Sequence, residues 1–323
     1  MTIFTGTKTK YGDNGLREDL SNIIYDISPT ETPFISSISR ENAKNTLHEW
    51  QTDSLAAATT ANAQLEGDDI TDYGTLSSTV RVGNYCQISR KLAAVSGTLE
   101  SIDKAGRNSE MAYQLVKKGK ELKRDMETIA LANIAPDAGG ATTARQMATL
   151  GCWVKTNTDI SATSSGNPTY TSGVPAAART DGTARAITTT IINSVCSAAW
   201  TTGADVNVLM VGTHVKKTIS TLTSAVTRNY DITGKPRPTA FIGAIDVYVS
   251  DFQILEIIPN RYQRGRDAWF LDMDYCCIAQ LRPMHSDKMA RTGDADKRML
   301  LVEWTLVVKN EAALGLAADL STS

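Results

Sequence analysis

Apolar residues recur along this chain in patterns that predict a mixed α+β protein with two appendages. Between 16 and 27, Leu16, Leu20, Ile23, Ile24 and Ile27 fall on one side of a short helix. Ser28-Pro29 stops it, since a residue before proline is pushed out of the helical region. Beyond that stop only Pro33, Phe34, Ile35 and Ile38 offer apolar anchors. A segment so thin in apolar residues cannot bury itself, so residues 1–45 read as an arm lying on something else.

Strands are predicted over 47–51 and 79–90, where Val80 and Val82 alternate with Thr79 and Arg81, and Trp50 and Tyr85 add strand-favouring aromatics. Between them, 52–78 is small and polar in front (Ala56-Ala57-Ala58-Thr59-Thr60-Ala61) and acidic behind (Glu66-Gly67-Asp68-Asp69). A structureless loop of that length is uncommon in a compact domain, so a projecting two-stranded extension is expected. The strongest signal is a helix over 109–134, with Asn108 or Ser109 as its N-cap and Pro136 and Gly139-Gly140 ending it. Leu115, Gly119, Leu122, Met126 and Ile129 make a narrow apolar stripe, while Lys117, Lys118, Lys120, Lys123, Arg124 and Glu127 are assigned to the other face. That pattern predicts a helix lying across a sheet with its back exposed.

Residues 161–183, rich in Ser, Thr, Gly, Ala and Pro, read as a long surface loop. The pattern then turns to α/β. A helix is expected over 184–199, a strand over 206–211 and a helix over 215–226. Strands follow over 244–249, 268–271 and 276–281, and a last long one over 299–308 contains Trp304.

The 323 residues suit two lobes or one elaborated domain, and 41% hydrophobic with 21% charged is an ordinary folded composition. A net charge of −2 lacks the basic excess of a dedicated nucleic-acid binder. No signal peptide opens the chain, and no stretch approaches the roughly 18–20 apolar residues of a membrane helix. The cysteines (Cys86, Cys152, Cys196, Cys276, Cys277) are odd in number and form no CxxC pair, which favours reduced thiols in a cytoplasmic compartment.

The search for chemistry ends without a catalyst. No phosphate loop, GxGxxG, HExxH, GxSxG or calcium-loop spacing occurs. His48, His214 and His285 are scattered, and His48 beside Trp50 reads as a surface or packing residue. Ser101-Ile102-Asp103-Lys104 matches an SxxK nucleophile–base spacing, but a helix start explains it better. Asp272 and Asp274 would share one side of a strand, where strand-end solvation is the commoner explanation. The acidic cluster at 66–69 is usual for a solvated turn, and the basic run on the long helix for a solvated face. No catalytic, cofactor-binding or metal-binding residue is therefore expected.

An arm, a projecting hairpin, one long helix, an α/β lobe and a returning strand occur in the order of the Hong Kong 97-type capsid fold of tailed phages. The segments Ile27-Ser28-Pro29-Thr30-Glu31-Thr32-Pro33-Phe34 and Asn45-Thr46-Leu47-His48-Glu49-Trp50-Gln51-Thr52-Asp53 resemble one major-capsid subfamily. The resemblance covers most of the chain apart from the loop over 161–183. It implies an N-terminal arm over 1–45 lying on the adjacent subunit and an extended loop over 46–91 resting on a neighbour. It also implies a peripheral domain over 92–185, with the 109–134 helix as its spine, an axial domain over 186–290 and a closing peripheral segment over 291–323.

The resemblance implies a major capsid subunit building pentamers and hexamers of an icosahedral head around double-stranded DNA, held without sequence-specific contacts. Pro29, Glu31, Pro33, Phe34, Trp50, Leu55, Leu65, Asp68, Asp69, Tyr85, Lys120 and Arg124 are the expected inter-subunit contacts. Expected partners are further copies of the chain, a portal protein at one vertex and a decoration protein on the surface, with no membrane. No long charged helical prefix precedes the arm, which implies a separate scaffolding protein or an already-cleaved precursor; Met1 favours the former. Assembly would take place in the host cytoplasm and the product would be the virion head. The alternative is an encapsulin-type nanocompartment shell, against which the two quoted segments argue.

Overall fold

The computed structural model describes residues 28–63, 65–67, 69, 76, 78–163, 165–222 and 246–322. The helix expected over 16–27 lies outside them, as do Asp68, 223–226 and 244–245.

Numbered along the chain, the first strands are β1 (Ser39–Asn42), β2 (Leu47–Thr52), β3 (Val80–Tyr85) and β4 (Gln87–Ser96). They are followed by β5 (Asn157–Asp159), β6 (Thr169–Thr171), β7 (Val174–Ala177), β8 (Val208–Val211) and β9 (Val247–Val249). The last are β10 (Ile254–Pro259), β11 (Ala268–Leu271), β12 (Cys276–Lys288), β13 (Ala295–Val308) and β14 (Gly315–Ala317). The helices are α1 (Pro33–Ser37), α2 (Gly97–Ser101), α3 (Glu110–Ala130), α4 (Leu150–Trp153), α5 (Thr189–Thr202) and α6 (Thr213–Leu222).

Two sheets carry the body. The first has the order β1-β12-β13-β4, with β13 antiparallel to both its neighbours and β1 parallel to β12. From Leu300 to Val308, β13 is buried throughout, and the fully buried Trp304 donates its indole N–H to Ser89 Oγ at 3.2 Å. Helix α3 packs on β4 and β13 through Met111, Leu122 and Met126, as the apolar stripe requires. The Ser109 hydroxyl caps it by accepting the Ala112 N–H at 3.2 Å. The helix stops short of 134 because Thr149 intervenes. Its hydroxyl donates to the Ala132 carbonyl at 2.7 Å and accepts the Ile134 N–H at 2.8 Å, so these groups leave the helical ladder. At 21 residues, α3 is about 32 Å long.

The second sheet has the order β5-β14-β11-β8-β10-β9. All four residues of β8 are buried: Leu209 and Val211 face α5 and α6, while Val208 and Met210 face the core shared with α3 and β13. A strand covered on both faces reads as one apolar run, which is how the sequence presents it. Thr188 caps the start of α5, and Gly203, with φ +86°, ends it.

Five expectations need correction. The single strand over 79–90 is two, parted at Cys86, so that β3 joins the projecting hairpin and β4 the four-stranded sheet. β10, unforeseen, lies between β8 and β9. The boundary expected at 290 does not separate the lobes, because β12 pairs with β13 across it and β14 returns to the second sheet. Residues 161–183 are not a plain loop. They hold the hairpin β6–β7, whose Ser172 and Gly173 both take positive φ (51° and 81°), as a tight two-residue hairpin turn requires. Asp272 is not a strand residue; its carboxylate accepts the Asp274 N–H at 3.1 Å and caps a short turn.

Candidate assembly surfaces

The arm meets the body at α1. Pro33 opens this single turn, and the buried carboxylate of Glu127 on α3 supplies what its N-terminus lacks. Oε1 accepts the Phe34 N–H at 2.9 Å and Oε2 the Ile35 N–H at 2.8 Å, while the Asn260 amide donates to Oε1 at 2.6 Å. Burial pushes the Glu127 carboxyl above the usual carboxylate range despite those three donors. Arm, long helix and second sheet are thus joined at one side chain, which the sequence pattern had placed on the exposed basic face.

Phe34 is fully buried against its own chain, so the contact it was expected to offer a neighbour is spent within the subunit. Pro33 is half-buried, whereas Pro29 and Glu31 are exposed; the Pro29 carbonyl accepts the Tyr262 hydroxyl at 2.6 Å.

The projecting hairpin pairs β2 with β3 from Leu47↔Tyr85 to Thr52↔Val80. At its root the buried Asn84 donates to the carbonyls of Ala148 (2.9 Å) and Leu306 (2.8 Å) and accepts the Ala148 N–H at 2.7 Å. Trp50 is half-buried and stacks at 5.4 Å on Trp153, which meets Tyr170 edge-on at 6.2 Å. Tyr85 is half-buried too. Across the strands Arg81 grips Glu49 with two hydrogen bonds, at 2.7 and 2.5 Å, and holds that carboxyl below its ordinary range.

Beyond Thr52 the ladder ends, and 53–63 is exposed throughout. Leu55 is 99% exposed, Leu65 80% and Leu76 98%, so three large apolar side chains are left largely uncovered by the described residues. Asp69 is exposed nearby. Leu76 was not singled out from the sequence, though a leucine in an otherwise polar stretch was the available signal.

On the outer face of α3, Lys117, Lys120 and Lys123 are exposed and Arg124 is half-buried. Lys118 pairs with Glu121 at 2.8 Å and Lys91 with Asp125 at 2.6 Å. Lys117, Lys120 and Lys123 form no ion pair among the described residues, leaving a basic row beside Val116, itself 64% exposed.

The weak catalytic patterns resolve into structure. Ser101 ends α2 rather than starting a helix, and its hydroxyl donates to the Gly97 carbonyl at 2.9 Å. Lys104 Nζ is turned to the carbonyls of Glu100 and Ile102. The five cysteines are buried thiols, which pushes Cys86, Cys152 and Cys196 up to about 11 and Cys277 to about 12. Among the described residues no group of three or more His, Cys, Asp or Glu converges on a common point.

A family model described as SU10 major capsid protein matches residues 3–321. The chain is 42% identical over 125 residues to the major capsid protein of Escherichia phage Phieco32, a match covering 39% of this chain and 35% of that relative. Among solved structures it superimposes on the cyanophage A-1(L) capsid asymmetric unit with a TM-score of 0.67 at 14% identity, covering 98% of this chain and all of the other. It also superimposes on a phage G structure of gp27 major capsid proteins and gp26 decoration proteins, with a TM-score of 0.53 at 9% identity, covering 99% of this chain and 100% of that one. At such identities the likenesses establish fold, and the fold is the Hong Kong 97-type capsid fold.

Proposed function

Since this chain belongs to the SU10 major capsid protein family, we propose that it is the shell subunit of a phage head, assembling into pentamers and hexamers that enclose double-stranded DNA. The family is structural, not enzymatic. The observation that carries the reading is the projecting hairpin with Leu55, Leu65 and Leu76 uncovered. Exposed apolar groups on an extension call for burial elsewhere, and a closed assembly of identical subunits supplies that surface.

In this reading the tip over 56–69 rests on the peripheral domain of a neighbour, and its acidic residues face the basic row on α3. Trp50 and Tyr85 hold the root of the hairpin in place. Pro29 and Glu31 lie where the arm leaves toward the adjacent subunit. The second sheet with α5 and α6 forms the axial domain. A scaffolding protein directs closure and a portal protein occupies one vertex. A decoration protein, as in the phage G structure, fits on the outer surface. The near-neutral charge suits a wall that confines DNA without binding many of its phosphates.

Sedimentation velocity and negative-stain microscopy of the purified chain, alone and co-expressed with the neighbouring phage genes, test this reading. Shells, tubes or capsomer rings are expected. A species that stays monomeric or dimeric under both conditions overturns it.

A further inference from the structure

The segment 161–183 completes neither large sheet, yet it is held at both ends. Its base is clamped by charge. Arg179 Nη2 donates to Asp267 Oδ1 at 2.7 Å, both side chains being fully buried, and Arg264 pairs with Asp181 at 2.5 Å. Asp319 accepts the N–H groups of Ser161 at 3.1 Å and Gly182 at 2.7 Å. Asn133 exchanges two hydrogen bonds with the Arg179 backbone, at 2.7 and 3.1 Å. The base is thus fixed to the turn before β11, to the C-terminal segment and to the end of the long helix.

The far end reaches the β2–β3 ladder of the projecting hairpin. The Tyr170 hydroxyl donates to the Trp153 carbonyl, and its ring closes the row Trp50–Trp153–Tyr170. Gly173 sits against β3 so closely that a Cβ there would stand 2.9 Å from Val80 Cγ1 and 3.2 Å from Val82 Cγ1. With φ +81° the position needs glycine for its backbone and for its space.

β2 and β3 form a sheet of their own, and a two-stranded ribbon is marginal without outside support. The geometry points to β6–β7 as a strut: it sets the direction in which the projecting hairpin leaves the body, and hence where that hairpin meets the next subunit. This rests on the shell-subunit reading for its consequence, but the strut itself is a property of the single chain.

The test is a distance measurement by pulsed electron paramagnetic resonance on the full, unassembled chain, with spin labels at Asp53→Cys and Lys217→Cys. Both positions are exposed and the native cysteines are buried, so the labels report the hairpin against α6. The parent is expected to give one narrow distance. Gly173→Val, which drives a side chain into β3, and Tyr170→Ala, which opens the aromatic row and leaves the turn intact, should each lose it while circular dichroism stays folded. A folded Tyr170→Ala chain with the parent's narrow distance overturns the strut. No shell is needed for this readout, so failure to assemble in the microscope would strike the shell reading and leave the strut standing.

Discussion

Oε1 of Glu127 accepts the backbone N–H of Phe34 at 2.9 Å, so a carboxylate in the last turn of the long helix caps the turn by which the arm enters the body. Glu127→Ala would leave the N–H groups of Phe34 and Ile35 and the Asn260 amide without their acceptor. A buried group left unsatisfied costs about 1–3 kcal/mol, so a loss near the upper value is expected in urea unfolding. Hydrogen exchange at Phe34 and Ile35 should accelerate more than at Leu209, which localises the effect; equal acceleration at all three would deny Glu127 a capping role.

Truncations of the arm should part at α1. Removing residues 1–27 leaves Phe34, Ile35, Ile38 and β1 in place, and shells should fail to form. Removing 1–40 strips the cover from Leu122 and Met126 and cuts β1, so the subunit itself should unfold at a lower temperature. Normal particles from the shorter truncation would contradict an interlocking arm.

Asn84→Ala addresses the root of the hairpin. It leaves the carbonyls of Ala148 and Leu306 and the Ala148 N–H unpaired in a dry site. The expected cost is about 2–3 kcal/mol in chemical denaturation, with reduced particle yield. A neutral result would mean water reaches this site.

Acid should loosen the clamp on 161–183. Burial works against the charge on Asp181, but Arg264, aided by Arg179 and Arg266, holds its carboxyl below the ordinary value of 3.8. For a depressed folded pKa, the stabilisation is fully present above the unfolded value and is lost as pH falls through the folded one. Thermal melts from about pH 5 to about pH 3 should therefore fall more steeply for the parent than for Asp181→Asn, which starts lower. Parallel curves would count against the pairing.

Reversing charge at Lys120 and Lys123 tests the basic row. Both side chains are exposed, so the double change to Glu should leave the melting temperature of the subunit unaltered. Assembly should fail, because the acidic tip would then meet like charge. Unimpaired shells would place that tip elsewhere.

Much of this architecture is legible locally. Ser109 before an apolar stripe marks the start of α3, and the run Val208–Val211 marks a strand covered on both faces. What escaped depends on partners far along the chain. Glu127 is acidic among lysines, and nothing near it says that the backbone of Phe34 requires an acceptor. Cys86 interrupts no alternation, so the strand change there is set by Asn84 and the sheets on either side. The hairpin β6–β7 hides in a polar composition, although Thr-Tyr-Thr and Val on either side of Ser172-Gly173 were a usable signal. Of the expected contacts, Leu55 and Leu65 are exposed as an interface would need, whereas Phe34 is withdrawn into the core because α3 supplies the surface the arm was thought to lack.

In the proposed shell one subunit's projecting hairpin is buried by another. A cryo-electron microscopy reconstruction of the assembled particle tests it most directly. A closed shell is expected in which Leu55 and Leu65 are covered by a neighbouring copy beside its α3. A shell in which those leucines fold back on their own chain, or remain in solvent, would contradict it.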